Sequence, residues 1–270
     1  MYSNIILFIL LPIFGFTQAL SPSTTYLRDY ATNNTGTASG NQQSFTTTAT
    51  SQIVTDIDGN TYNTVKIGTQ VWFSENLKTS RYKNGGLIPN VVDDSEWEAL
   101  TTGAWCYNHY AVNNAIYGKF YNWFATQGDS LCPTGWHVPS DAEWTVLVDY
   151  LGGKRLAQFA PDLVAQFDRN IQAGGKMKSV GTAYWKRPNT GATNKSGFSA
   201  LPSGFYDNDG GYGNIGLNTF FWSITEEVIG AAWSRILDNR SRDVYRISTL
   251  KESGESVRCI KDLNLVVLNR

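Results

Sequence analysis

The chain opens on an apolar run at residues 5–16 (Ile-Ile-Leu-Phe-Ile-Leu-Leu-Pro-Ile-Phe-Gly-Phe), followed to about residue 52 by Ser, Thr, Asn and Gly without sustained periodicity. The run is short for a bilayer span and has the length of a signal-peptide core, which predicts a cleaved segment at 1–19. Its flank lacks Lys and Arg, so an uncleaved membrane anchor is the alternative; no Cys follows to carry a lipid. Residues 20–52 have the composition of a flexible spacer. Order is expected from Ile53. Val54-Thr55-Asp56-Ile57 and Thr61–Ile67 are β-type runs joined around Asp58-Gly59, a hairpin signal, and Gln70–Phe73 predicts a further strand.

The helix signal is strongest over 140–151. Ser140 and Glu143 form a capping box, Trp144, Leu147, Val148 and Leu151 share one face, and Gly152-Gly153 stops the run. A second helix is predicted over 162–171, opened by Pro161 and carrying Leu163, Phe167 and Ile171. The chain is then loop-rich through Thr219 and closes with β-type runs at 232–237, 243–248 and 256–261, leaving a tail at 263–270. Strands at both ends, two helices near the middle and long loops predict an α+β domain over 53–262, built on antiparallel sheets.

Composition narrows the function. With 22 basic against 23 acidic residues and a net charge of -1, nothing favours nucleic acid or an anionic membrane as partner. Nine Trp and fourteen Tyr, against two His, favour packing and interfaces over acid/base or metal chemistry. Cys106, Cys132 and Cys259 allow three pairings, and the odd count suggests one disulfide and one spare thiol in an exported protein.

Catalytic templates fail one by one. There is no C-x-x-C or H-x-x-x-H; His109 and His137 stand alone, His137 as a packed structural residue. Gly197-Phe198-Ser199-Ala200-Leu201 misses the last Gly of a nucleophile elbow. Glu226 and Glu227 are neighbours, which a strand turns to opposite faces. Asp56-x-Asp58-x-Asn60 begins like a calcium loop, but Thr61 takes the obligatory Gly position and no closing Glu follows. Asp207 and Asp209, on a Gly-rich turn, are the remaining calcium candidates; otherwise no cofactor is implied. Asn33, Asn194 and Asn239 head glycosylation sequons, which matter only in a source that uses them.

A series of motifs carries a resemblance. Asp56-Ile57-Asp58-Gly59-Asn60-Thr61-Tyr62 leads to Lys66-Ile67-Gly68, Gln70-Val71-Trp72 and Glu75-Asn76-Leu77; Tyr117-Gly118 leads to Tyr121-Asn122-Trp123. Leu131-Cys132-Pro133, Gly135-Trp136-His137-Val138-Pro139-Ser140 and Glu143-Trp144 follow, then Gly175-Lys176-Met177-Lys178 and Ser196-Gly197-Phe198-Ser199-Ala200-Leu201-Pro202. Phe221-Trp222-Ser223, Ala232-Trp233 and Ser256-Val257-Arg258-Cys259 complete it. In this order they resemble the Fibrobacter succinogenes major paralogous domain, a family of exported bacterial proteins, with an insertion at 154–173. The resemblance implies a C-type-lectin-like fold without an established general activity. In that fold a cysteine before the first helix pairs with one on the last strand, which implies Cys132–Cys259. Loop closure of that length corresponds to about 4–5 kcal/mol in chain-entropy models. Cys106 is then a buried small apolar residue.

Residues 222–259 also resemble the variable stretches of retroelement-diversified lectin-like proteins. Trp222, Trp233, Val257 and Cys259 are the scaffold in that comparison. Ile224, Glu226, Val228, Asp238, Asn239, Arg240, Arg242, Tyr245, Ile247, Thr249 and Leu250 form the exposed, ligand-binding set. The motifs of calcium-dependent sugar binding are absent, so a glycan would rely on aromatic stacking. The expectation is a secreted or cell-surface, non-enzymatic binding or adhesion module for a protein or glycan. A structural envelope or matrix protein is the alternative. An enzyme related to the formylglycine-generating group is less supported, because only Cys259 stands near the C-terminus where that group has a cysteine pair.

Overall fold

The computed structural model describes residues 52–107, 114–152, 168–170, 172–207 and 211–263, together with the backbone of four short strands nearer the N-terminus. Two compact units, Met1–Ser51 and Gln52–Arg270, divide the chain. In the first, β1 (Ser23–Leu27) pairs antiparallel with β4 (Gln43–Thr47), and between them β2 (Tyr30–Asn33) pairs with β3 (Gly36–Ser39). These strands fall within the stretch whose composition is that of a spacer. The expected signal segment at 1–19, His109, Asp209 and most of the tail lie outside the described residues.

The second unit begins with β5 (Ile53–Thr55), β6 (Thr61–Ile67) and β7 (Gln70–Phe73), a meander around the predicted turn. The Asp56 carboxylate organises that turn by accepting from the backbone N–H of Asp58 and Asn60 and from the Tyr62 hydroxyl at 2.6 Å. The Asn60 side-chain amide donates to Asp56 Oδ2 as well, at 2.9 Å, so this carboxylate is spent on the turn and its flanking strand. Short α1 (Asp94–Glu98), β8 (Trp105–Cys106), α2 (Asn114–Tyr117), β9 (Phe120–Tyr121) and a 3₁₀ segment (Trp123–Asp129) lead to β10 (Trp136–His137).

The main helix, α3 (Asp141–Gly152), starts where the capping box places it. The Ser140 N–H and hydroxyl donate to Glu143 Oε2 at 2.8 and 2.7 Å, and the Glu143 N–H donates back at 3.2 Å. Its Trp144, Leu147, Val148 and Leu151 are buried. The second predicted helix meets a correction. Asp168–Asn170 is a strand, β11, paired antiparallel with Val244–Arg246 further along the chain, while 162–167 and 171 lie outside the described residues. Over those three residues, strand pairing replaces the predicted helix.

After α4 (Ala173–Met177) come the small hairpin β12 (Phe205–Tyr206) and β13 (Tyr212–Gly213), then β14 (Asn218–Val228), β15 (Ala231–Asp238), β16 (Val244–Leu250) and β17 (Ile260–Lys261). The eleven-residue β14 lies partly in a stretch that sequence reads as loop. The predicted strand over 256–261 shrinks to β17, preceded by single bridges at Glu255 and Ser256. Sheet orders are β10-β17-β7-β6-β5 and β11-β16-β15-β14, with two-stranded β8-β9 and β12-β13, all antiparallel. The α+β prediction with antiparallel sheets therefore holds.

Two large cores each draw side chains from both main sheets. One gathers Tyr62, Phe73, Tyr121, Trp123, Trp136, Trp222 and Val257 around a Cys132–Cys259 disulfide with Cα atoms 6.0 Å apart. The other packs α3 against Trp72, Phe198, Phe221, Leu237 and Val244. Indole N–H groups tie distant segments together: Trp105 donates to Ile88 O, Trp123 to Ser223 O, Trp144 to Trp222 O, Trp185 to Ala200 O and Trp222 to Tyr121 O, at 2.8–3.1 Å. Burying that many indoles is favourable because each donor is satisfied.

Candidate functional site

The four-stranded sheet has two unlike faces because side chains alternate along each strand. Toward α3 it presents Phe221, Arg235, Leu237, Val244 and Arg246. The Asp141 carboxylate receives Arg235 Nη2 and Arg246 Nε, each at 2.8 Å, and Arg246 lies 3.2 Å over the Trp233 ring. Burial would raise the Asp141 carboxyl, but the two guanidiniums outweigh it and hold it below the ordinary carboxylate value. Beneath α3 this face is occupied by packing and by the Asp141 ion pairs.

On the opposite face, three half-buried apolar residues stand in direct cross-strand register: Phe220 faces Ile236, and Ile236 faces Tyr245. Phe205 of β12 extends the row, its ring 4.7 Å from that of Phe220. The next rung pairs Trp222 with Ser234 and Ser234 with Ile247. Beyond it the face dips into the disulfide core. There the Ser234 and Thr249 hydroxyls bond each other at 2.9 Å near the fully buried Glu255. Burial pushes the Glu255 carboxyl up to about 8. The two hydroxyls favour its ionised form, but neither closes a well-formed hydrogen bond with it, so desolvation dominates.

The predicted binding residues do not form one patch. Tyr245, Ile247 and Thr249 share the open face, half-buried; Ile224 packs against the disulfide core, and exposed Glu226 bridges to Lys251 at 2.5 Å. Lys251 in turn lies over the Trp123 ring. Val228 and Leu250 sit at the β14–β15 hairpin end, 53% and 47% exposed, beside Ile229 at 99%. Sequence reasoning passed over Ile229, although an isoleucine before a turn glycine (Gly230, φ +89°) is a legible signal of exposure.

The remaining predicted residues lie at the β15–β16 turn. Arg240 and Arg242 are exposed there, with the Arg242 stem against Gly191. Asn239 requires a correction: it is 2% exposed, and its side-chain amide donates to the carbonyls of Lys186 and Arg187 at 3.1 and 3.0 Å. A side chain spent on anchoring a loop is unavailable to a ligand. Asp238 is half-buried and caps the turn by accepting from the Arg240 N–H.

A separate cleft of about 310 Å³ runs beside α3 between Thr69, Val71, Val146, Ile260, Lys261 and Leu263. Its rim carboxylates are already engaged. His137 is held at Nε2 by Glu143 (2.9 Å) and at Nδ1 by Asp262 (2.6 Å). The hydrogen bond to Glu143 raises the imidazole to about 9 against the opposing effect of burial, with Asp262 adding to the rise. Burial would raise Glu143, but His137 and Ser140 hold it at about 2. With both ring nitrogens occupied, His137 is built as a clamp rather than as a base.

Other buried ionic residues went unremarked in the sequence. Arg258, inside the Ser-Val-Arg-Cys motif, is buried beneath Phe198 and donates to Asn76 Oδ1 and the carbonyls of Phe73 and Phe198, while burial pulls it down to about 9. Cys106 is buried as a free thiol, and burial pushes its pKa well up, away from reactivity. Asp207 is half-buried, and among the described residues no three His, Cys, Asp or Glu side chains converge as metal ligands. Nor is any described helix long and apolar enough to cross a membrane.

No curated protein and no solved structure matches this chain. The model of the Fibrobacter succinogenes major domain matches residues 65–261, from β6 through the disulfide and the paired sheets to β17. The motifs quoted from the sequence thus sit in one folded unit, and the chain belongs to the Fibrobacter succinogenes major domain family.

Proposed function

We propose that this chain is an exported, non-enzymatic binding or adhesion module with a C-type-lectin-like scaffold, recognising a protein or glycan without a cofactor. The observation that carries this reading is the Phe220–Ile236–Tyr245 row, set in register on the sheet face that α3 does not cover. Half-buried aromatic and aliphatic side chains on a rigid sheet lose little entropy on contact and suit an interface core. The exposed Val228–Ile229 tip adds an apolar contact at one end of the sheet. A long-range disulfide supports an oxidising, extracytoplasmic setting. The engaged state of His137 and the burial of Cys106 favour binding over catalysis.

The test uses the full chain on a glycan array and against envelope or matrix fractions, with Tyr245→Ala, Ile236→Ser and Ile229→Asp as separate variants. Loss of a captured ligand with Tyr245→Ala and Ile236→Ser supports the sheet face. Binding that survives both, with folding intact, removes that face from the reading. Addition of calcium or chelator is expected to leave the affinity unchanged.

A further inference from the structure

The Lys178 side chain is buried in the second unit, and its ammonium reaches three main-chain carbonyls: Thr190 O at 3.0 Å, Asp238 O at 2.7 Å and Ser241 O at 2.6 Å. An ammonium has three N–H donors and no acceptor, so the three bonds saturate it. The acceptors come from two separate segments, the 186–191 loop and the β15–β16 turn that displays Arg240 and Arg242. Trp185 stands below the ammonium, its ring centroid 5.3 Å away, and the nearby charges are the Asp238 and Asp243 carboxylates. Burial pulls the group down to about 8, opposed by those two carboxylates, which leaves it mostly charged at neutral pH.

We infer that the carbonyls of Thr190, Asp238 and Ser241 form a cation cage that the chain fills with its own lysine, and that Lys178 thereby positions the β15–β16 turn without any bound metal. Converging carbonyl oxygens are what a loop offers to a small cation. Here their negative ends would face one another unpaired if the ammonium were absent. The neighbouring bonds show the same turn laced to its surroundings: Thr190 N–H to Asn239 O at 2.7 Å and Gly175 N–H to Arg242 O at 2.9 Å. These tie the turn laterally, whereas Lys178 reaches it from the core. The assignment concerns the cage itself and stands whether or not the turn contacts a ligand.

The experiment compares the full wild-type chain with Lys178→Ala and Lys178→Met by thermal unfolding at constant ionic strength. Each is run in sodium, tetramethylammonium, ammonium and ethylammonium chloride. Lys178→Ala in sodium chloride is expected to melt about 5–10 °C below wild type, as leaving buried carbonyls unpaired implies for a domain of this size. Ammonium or ethylammonium should recover a concentration-dependent part of that loss, as ligand linkage requires, whereas tetramethylammonium, which has no N–H, should not. Lys178→Met fills the stem without a donor and should be depressed and unrescued. Equal gains in all salts, or Lys178→Met melting with wild type, would overturn the cage. Should neither variant fold, lysine-¹⁵N NMR of the wild type decides. A resolved, slowly exchanging Lys178 ammonium signal supports the cage, and its absence at neutral pH refutes it.

Discussion

Replacing Glu255 with glutamine should make this protein more stable at neutral pH and flatten its response to alkali. The wild-type carboxyl is fully buried, and burial lifts it from an ordinary 4.5 to about 8. The folded state therefore holds a proton that the unfolded chain releases above pH 4.5. The associated stability is fully present below that value and is lost as pH rises through 8. Each pH unit in this window shifts unfolding by about 1.4 kcal/mol, giving about 3 kcal/mol between pH 5 and 7 and a ceiling of about 5 kcal/mol across it. Glutamine keeps the shape and the neutral polar character of the protonated acid but does not titrate. Urea unfolding at pH 5, 6, 7 and 8, disulfide intact, measures the effect. Wild type and variant should agree within about 1 kcal/mol at pH 5 and diverge steadily in favour of the variant. Taking the difference cancels any other group that titrates alike in both. Parallel stability curves with unchanged m-values would refute the assignment of a protonated acid beneath the sheet.

Three further outcomes follow from named contacts. Reducing Cys132–Cys259, or replacing both residues with Ala, opens a closure of 127 residues and should cost about 5 kcal/mol, while Cys106→Ala changes stability far less; denaturation with and without reductant, plus peptide mapping, checks this. His137→Gln should remove a clamp that is fully formed below pH 6.5 and fades as pH rises through about 9; after solvent screening it contributes about 1–2 kcal/mol at pH 6, visible as a stability gap that closes by pH 10. Gly175→Ala would drive a methyl to 2.3 Å from the Gly191 carbonyl and should cost about 2 kcal/mol or more, whereas Gly211→Ala, with open space around it, should be nearly silent in the same thermal melt.

Local chemistry was legible in the sequence wherever it was complete within a few residues. The Ser140–Glu143 capping box, the apolar face of α3, and the turn between β5 and β6 required only neighbouring side chains and backbone. The order of family motifs carried the Cys132–Cys259 pairing, which spacing alone left open among three choices. What tertiary structure alone decided were matters of partnership across the chain. The 162–171 pattern suits a helix in isolation, yet Asp168–Asn170 pairs with β16, since an edge strand's hydrogen bonds outweigh a weak helical period. Asn239 reads as an exposed turn residue, and only the approach of Lys186 and Arg187 makes it an anchor. Glu255, Lys178 and Arg258 carry no local sign of burial. Their charges are costly or sustained according to which carbonyls, hydroxyls or rings the fold brings to them, and those partners come from segments far away in sequence. The binding face is likewise a product of register: Phe220, Ile236 and Tyr245 become one surface only because β14, β15 and β16 align them.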